Sequence, residues 1–261
     1  MRFTDSYHNN QGVTMQQVFV EESQIGKEYV TITGSDVNHL KNVLRMKPGE
    51  RLRVSTGTGK NLLCEISEMT DAFVQADIVK EQVEDTELPA KIFLFQALPK
   101  GDRMETVIQK AVELGVYEII PVEMQYCVVR IEEKRAENKV KRWQAIAESA
   151  AKQSKRSKVP TVHSVMKMED AISYAKECDV RIVPYENELG MEGTKKALQL
   201  VKEDCSISVM IGPEGGFSDA EIEALRPDFS IISLGKRILR TDTAAIATMA
   251  MLMLKLEEKA M

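Results

Sequence analysis

The chain has 261 residues, 43% of them hydrophobic and 29% charged, with a formal charge of −5, which is ordinary for one large or two modest globular domains. That mildly acidic balance argues against nucleic-acid binding over the whole surface. Four scattered cysteines, three scattered histidines and the lack of an N-terminal apolar core predict no disulfide framework, no metal site and a soluble cytoplasmic protein.

Residues 1–14 are polar and unpatterned and read as a disordered extension. Residues 15–84 carry short strand-like runs at 18–20, 29–32, 52–54, 62–66 and 73–79, several alternating, which predicts a small β-barrel. One helix interrupts them at 35–44, capped by Ser35 or Asp36, with Val37, Leu40, Val43 and Leu44 on one face. Residues 55–60, STGTGK, look like a phosphate loop but lack the first glycine and the final Ser or Thr of that motif. They read as a hairpin turn. The acidic stretch 81–90 reads as a linker between domains.

From residue 90 to 261 strands alternate with amphipathic helices, which implies a parallel α/β sheet covered on both faces. Asp102 and Glu105 have the spacing of a helix start, Met104, Val107, Ile108, Ala111 and Val112 mark its buried face, and Gly115 ends it. The segment 134–158 holds nine Lys or Arg against Glu137 and Glu148, on a helix whose other face is apolar. A solvated helix face and a nucleic-acid contact are both open readings of that run.

Two strand–loop–helix passes close the chain. The first loop is Gly212, Pro213, Glu214, Gly215, Gly216, followed by the capping box Ser218–Glu221. Glu214 within it disfavours a phosphate ligand and suits a ribose, an amine or a sulfonium. The second loop places Lys236, Arg237 and Arg240 just before an apolar helix at 243–256, with Asp242 a candidate N-cap. Such loops belong at the carboxyl ends of parallel strands, where ligands bind.

The two motifs GPEGGFSDAE and LGKRILRTDTA, with LPKGDRMETVIQKAVELGV and KQSKRSKVP before them, closely resemble the SPOUT-class RNA methyltransferases. Within that class the chain resembles the family that makes 3-methyluridine in small-subunit (16S) ribosomal RNA. The resemblance covers nearly everything from Met15. Relatives carry an arginine where this chain has Gln16-Gln17-Val18, and Arg-Ser where it has Tyr126-Cys127.

That resemblance implies an N-terminal PUA-like barrel over 15–84 and a methyltransferase domain over 90–261 with a deep C-terminal trefoil knot. It implies S-adenosylmethionine as cofactor and a homodimer acting on ribosomal RNA. Pro184, Tyr185, Glu186, Gly212, Pro213, Glu214, Gly215, Gly216, Leu234, Gly235, Arg237, Ile238, Leu239 and Thr243 are expected at the cofactor. Arg240 is expected to meet charge developing on the uracil, with Asp242 or Glu214 as proton acceptor. Arg45, Arg142, Lys155 and Arg156 are expected to hold RNA phosphates. Methylation of a tRNA ribose 2′-hydroxyl, or RNA binding without catalysis, are the alternatives.

Overall fold

Alternating side chains decide the first unit, because only one face of each strand is apolar. The computed structural model describes residues 15–81, 86–131 and 133–258, so the predicted extension at 1–14 lies outside the described residues. Strands β1 (Gln16–Phe19), β2 (Tyr29–Thr33), β3 (Arg51–Ser55), β4 (Asn61–Met69) and β5 (Phe73–Glu81) form one curled sheet in the order β1-β3-β4-β5-β2. β1 runs parallel to β3, and the other pairings are antiparallel. Val30, Leu52, Val54 and Val74 are 0% exposed and Ile32 1%, so apolar residues of the expected strand runs pack into one core. Residues 55–60 join β3 to β4 as a hairpin turn, with Gly57 at φ +74° and Gly59 at φ +122°.

The helix expected at 35–44 departs from its sequence reading. It is one α-helical turn, α1 (Ser35–Asn38), continued by a π-helical turn, His39–Val43. Its N-cap is Gly34 at φ +76°, not Ser35 or Asp36. A π-turn holds an extra residue and breaks the 3.6-residue period. Leu40 accordingly stays buried while Val43 turns outward, 61% exposed.

The acidic stretch is anchored at its end. Glu87 accepts from the Arg156 guanidinium (Nε at 3.2 Å, and a second, shorter bond from Nη2) and from the backbone N–H groups of Ser157 at 3.0 Å and Lys158 at 3.1 Å. The contact pattern therefore groups Ala151–Val159 with Met1–Glu87, and Leu88–Ala150 with Pro160–Met261.

In the second unit, buried β-branched runs give parallel strands. Strands β6 (Lys91–Ala97), β7 (Glu118–Glu123), β8 (Thr161–Val162), β10 (Val180–Pro184), β11 (Ser206–Ile211) and β12 (Ser230–Ile232) lie in the order β12-β10-β11-β6-β7-β8, all parallel, and β9 (Met166–Lys167) also pairs with β7. The connecting helices are α2 (Arg103–Glu113), α3 (Glu133–Gln153), α4 (Met168–Ala175), α5 (Glu192–Leu200), α6 (Asp219–Leu225) and α7 (Thr241–Glu257). α2 buries all five residues its spacing predicted. Burying side chains such as Val107 and Ile108 contributes about 1.5–3 kcal/mol each. Gly115 ends that helix at φ +88°, where a Cβ would lie 2.5 Å from Leu88. No described helix is long and apolar enough to cross a membrane.

Candidate cofactor and RNA site

The order β12-β10-β11-β6 puts four carboxyl ends side by side, and the loops leaving them close one pocket of about 440 Å³. That volume lies in the range of cofactor sites, roughly 300–1,000 Å³. Lys100 and Arg103 come from after β6, Pro184, Tyr185 and Glu186 from β10, and Gly212, Pro213, Glu214, Gly216 and Phe217 from β11. Leu234, Gly235, Arg237, Ile238, Leu239, Arg240, Thr241 and Ala244 come from after β12.

Glycine is needed here for close approach rather than for looseness. A Cβ on Gly212 would lie 2.9 Å from the Phe217 ring, whose edge faces Tyr185 at a centroid distance of 6.4 Å. One on Gly216, at φ +73°, would lie 2.3 Å from Oε1 of Glu186. Both glycines thus make room for groups that wall the pocket. Ser218 and Glu221 form the expected capping box at the start of α6, and Glu221 also accepts from the Gln125 N–H at 2.8 Å.

Glu214 is held from across the pocket. Its Oε1 accepts from Nη1 of Arg103 at 2.6 Å and from the N–H of Lys100 at 3.0 Å. Burial pushes its pKa up, but the Lys100 N–H, its own N–H and Arg103 outweigh that and leave it below the ordinary glutamate value. A carboxylate stabilised in its charged form is a poor proton acceptor.

Asp242 is not the N-cap. Arg240 occupies that position and Thr241 begins α7, so Asp242 sits one residue inside the helix. It does not line the pocket, and its buried Oδ1 has no hydrogen-bond partner among the described residues. Thr241 does the fixing instead: its hydroxyl donates to the Gly212 carbonyl at 2.7 Å and accepts from Gln96 at 2.9 Å. Arg237 and Arg240 are exposed at the pocket with no ion-pair partner among the described residues.

Of the other predicted residues, Gly215 packs on Tyr126 (a Cβ there would lie 2.9 Å from that side chain) and Thr243 is exposed; neither lines the pocket. Lys100, Arg103, Phe217 and Thr241 were absent from the sequence-derived site. The motif LPKGDR carried the signal for the first two, but only the adjacency of β6 and β11 brings them to the glycine loop.

The predicted phosphate contacts divide by burial. Arg45, at φ +55°, is exposed, as is Arg142, which pairs with Glu105 at 2.9 Å. Lys155 is half-buried, its pKa pulled down by burial and by Arg53 beside it. Arg156 is 3% exposed and its guanidinium is bound to Glu87, so burial takes it out of the set that phosphate could reach.

The chain, which holds a parallel sheet with a ligand-sized pocket over the loops of four adjacent strands and, as a separate unit, a curled β-sheet, falls in the class of RNA methyltransferases with a PUA domain. The RNA methyltransferase domain model matches residues 86–253, and the RNA methyltransferase PUA domain model matches 32–79. The chain belongs to the ribosomal RNA small subunit methyltransferase E family. It is 35% identical to that protein of Bacillus subtilis, over 89% of this chain and 93% of the relative. It is 32% identical to that of Buchnera aphidicola, over 87% and 91%. A crystal structure of the Neisseria gonorrhoeae protein, bound to S-adenosyl methionine, superposes with a TM-score of 0.79 at 33% identity, over 91% of this chain and 96% of that one.

Proposed function

We propose that this chain transfers a methyl group from S-adenosylmethionine to N3 of a uridine in 16S ribosomal RNA, in the cytoplasm. The observation that carries this reading is the 440 Å³ pocket itself, in a chain of this family, with glycines where a ligand must meet backbone and two arginines facing it unpaired. The pocket residues fit the cofactor, which supplies an electrophilic methyl group on a sulfonium.

The chain's own part is positioning and electrostatics. The glycine loop and residues 234–239 bind the cofactor, with Pro184 and Tyr185 as a further wall. Arg240 meets the negative charge that grows on the uracil oxygens as N3 gives up its proton. Glu214 is engaged by Arg103, and Asp242 lies off the pocket. Glu186 is the remaining pocket carboxylate, with no hydrogen bond or ion pair to another described residue, and is assigned here as proton acceptor. Arg45, Arg142 and Lys155 hold phosphates.

The return of the chain from edge strand β12 to Gly212 and Gln96, through Thr241, supports a knotted C-terminus. α7 is apolar through its middle, from Ala244 to Leu254 apart from Thr248, with Leu254 63% exposed, which supports a homodimer built on that helix. Mass analysis of 16S ribosomal RNA nucleosides from a deletion strain tests the substrate. 3-Methyluridine should vanish at one position; its persistence overturns the assignment, and loss of a 2′-O-methylated tRNA nucleoside points to the alternative.

A further inference from the structure

Between Ile92 and Leu98 the chain is apolar except at Gln96, whose side chain is 0% exposed. A buried amide costs stability unless its donors and its acceptor are met, and an apolar side chain of similar size carries no such cost. Gln96 meets only part of that demand. Its Nε2 donates to the Ala97 carbonyl at 3.0 Å and to the Thr241 hydroxyl at 2.9 Å, while its Oε1 has no hydrogen-bond partner among the described residues.

The direction of this chain of bonds is fixed at both ends. A carbonyl can only accept, so the Gln96 atom facing Ala97 is the nitrogen, and the Thr241 oxygen beside that nitrogen accepts. The one hydroxyl hydrogen of Thr241 is then left for the Gly212 carbonyl at 2.7 Å, which again can only accept. Gly212 opens the glycine loop, and Thr241 follows Arg240 at the start of α7. Gln96 thus orients the hydroxyl that joins the loop to the residue after Arg240.

We infer that Gln96 is a positioning residue for methyl transfer: through the Thr241 hydroxyl it sets the spacing between the glycine loop, at the methyl donor, and Arg240, at the acceptor base. This rests on the methyl-transfer reading above. Gln96 does not line the pocket, whereas Thr241 and Arg240 do, so its effect on the reaction passes through Thr241. A misplacement of about 1 Å between reacting groups costs on the order of a hundredfold in rate. Cofactor binding depends less on this tie, because Arg103 and the Lys100 N–H still hold the same loop at Glu214.

The test compares three variants of the full chain. Thr241→Val keeps the shape and loses the hydroxyl, Thr241→Ser keeps the hydroxyl, and Gln96→Met fills the buried site without a donor. Turnover on 16S ribosomal RNA, calorimetric affinity for S-adenosylmethionine and thermal unfolding of the cofactor-free protein are read for each. Thr241→Val and Gln96→Met should each lose about 10–100-fold in kcat with cofactor affinity within about threefold, and Thr241→Ser should restore most of the turnover. In an Arg240→Ala background, Thr241→Val should cost less than about threefold more, because the spacing it sets no longer matters.

Full turnover in Gln96→Met, equal losses of turnover and cofactor affinity, or an undiminished extra loss in the Arg240→Ala background overturns the inference. So does a lowered unfolding temperature with turnover per folded molecule unchanged, which would make the tie structural only. Failure of the wider reading looks different: wild type itself would then leave ribosomal RNA unmethylated, and the inference would fall with it.

Discussion

Arg103 Nη1 and Glu214 Oε1 lie 2.6 Å apart, and that ion pair ties the first residue of α2 to the middle of the glycine loop. The Lys100 N–H adds a second bond to the same oxygen. Removing Arg103 leaves a charged carboxylate without its cationic partner. Arg103→Ala should weaken cofactor binding about tenfold, the scale of a charge-assisted hydrogen bond, and Arg103→Lys should restore part of it. Calorimetry with S-adenosylmethionine reads both; unaltered affinity in the alanine variant would show that the tie does not shape the pocket.

The same contact has an acid limit. Glu214 has a folded pKa below its ordinary value of 4.5, so its contribution is present above the unfolded pKa and lost as pH falls through the folded one. Cofactor affinity should therefore be insensitive to Glu214 between pH 5 and pH 8, roughly, and fall on further acidification. Glu214→Gln, measured over the same range, should lack that acid limb. An identical limb in both proteins would place its origin elsewhere.

Arg240→Ala removes a cation that faces the pocket but pairs with no described residue. A donor aimed at developing charge is worth about 10²–10³ in kcat. The variant should lose turnover on that scale while cofactor affinity stays within a few-fold. Parallel loss of both would move Arg240 from chemistry to cofactor binding.

Gly216→Ala meets two obstacles, the φ of +73° and the Glu186 carboxylate 2.3 Å from the new Cβ. The left-handed backbone alone costs about 1–2 kcal/mol. Displacing Glu186 should add a loss of turnover that a purely conformational strain does not give. Thermal unfolding and kcat together separate the two effects.

Arg156→Ala in the first unit breaks a buried ion pair and leaves Glu87 with a buried charge, at a cost of about 3–5 kcal/mol. Denaturant unfolding should show that loss. Were Arg156 instead a phosphate contact, stability would hold and the salt dependence of RNA binding would flatten.

Much of this was legible in the chain. The runs at 29–32 and 73–79 marked strands, and the 3.6-residue spacing of α2 named its inward residues, because burial leaves a period in sequence. The two glycine-bearing loops marked the pocket. What stayed hidden depends on long-range pairing or on a local change of helix type. Arg103 reaches Glu214 over 111 positions, and nothing near either residue announces the other. The π-turn at His39–Val43 keeps an ordinary apolar spacing, so Val43 reads as buried. Arg156 reads as surface charge within a basic run until Glu87 is seen against it.

That last pair also sets a timetable for synthesis. Glu87 leaves the ribosome 69 residues ahead of Arg156, a lag of roughly 3 to 14 s at ordinary elongation rates of about 5–20 residues per second. During that interval β6, α2 and β7 are made while the first unit still lacks its closing segment. The N-terminal unit therefore cannot be completed in order of synthesis, and a nascent chain arrested before residue 156 should hold it in an unfinished, protease-sensitive form.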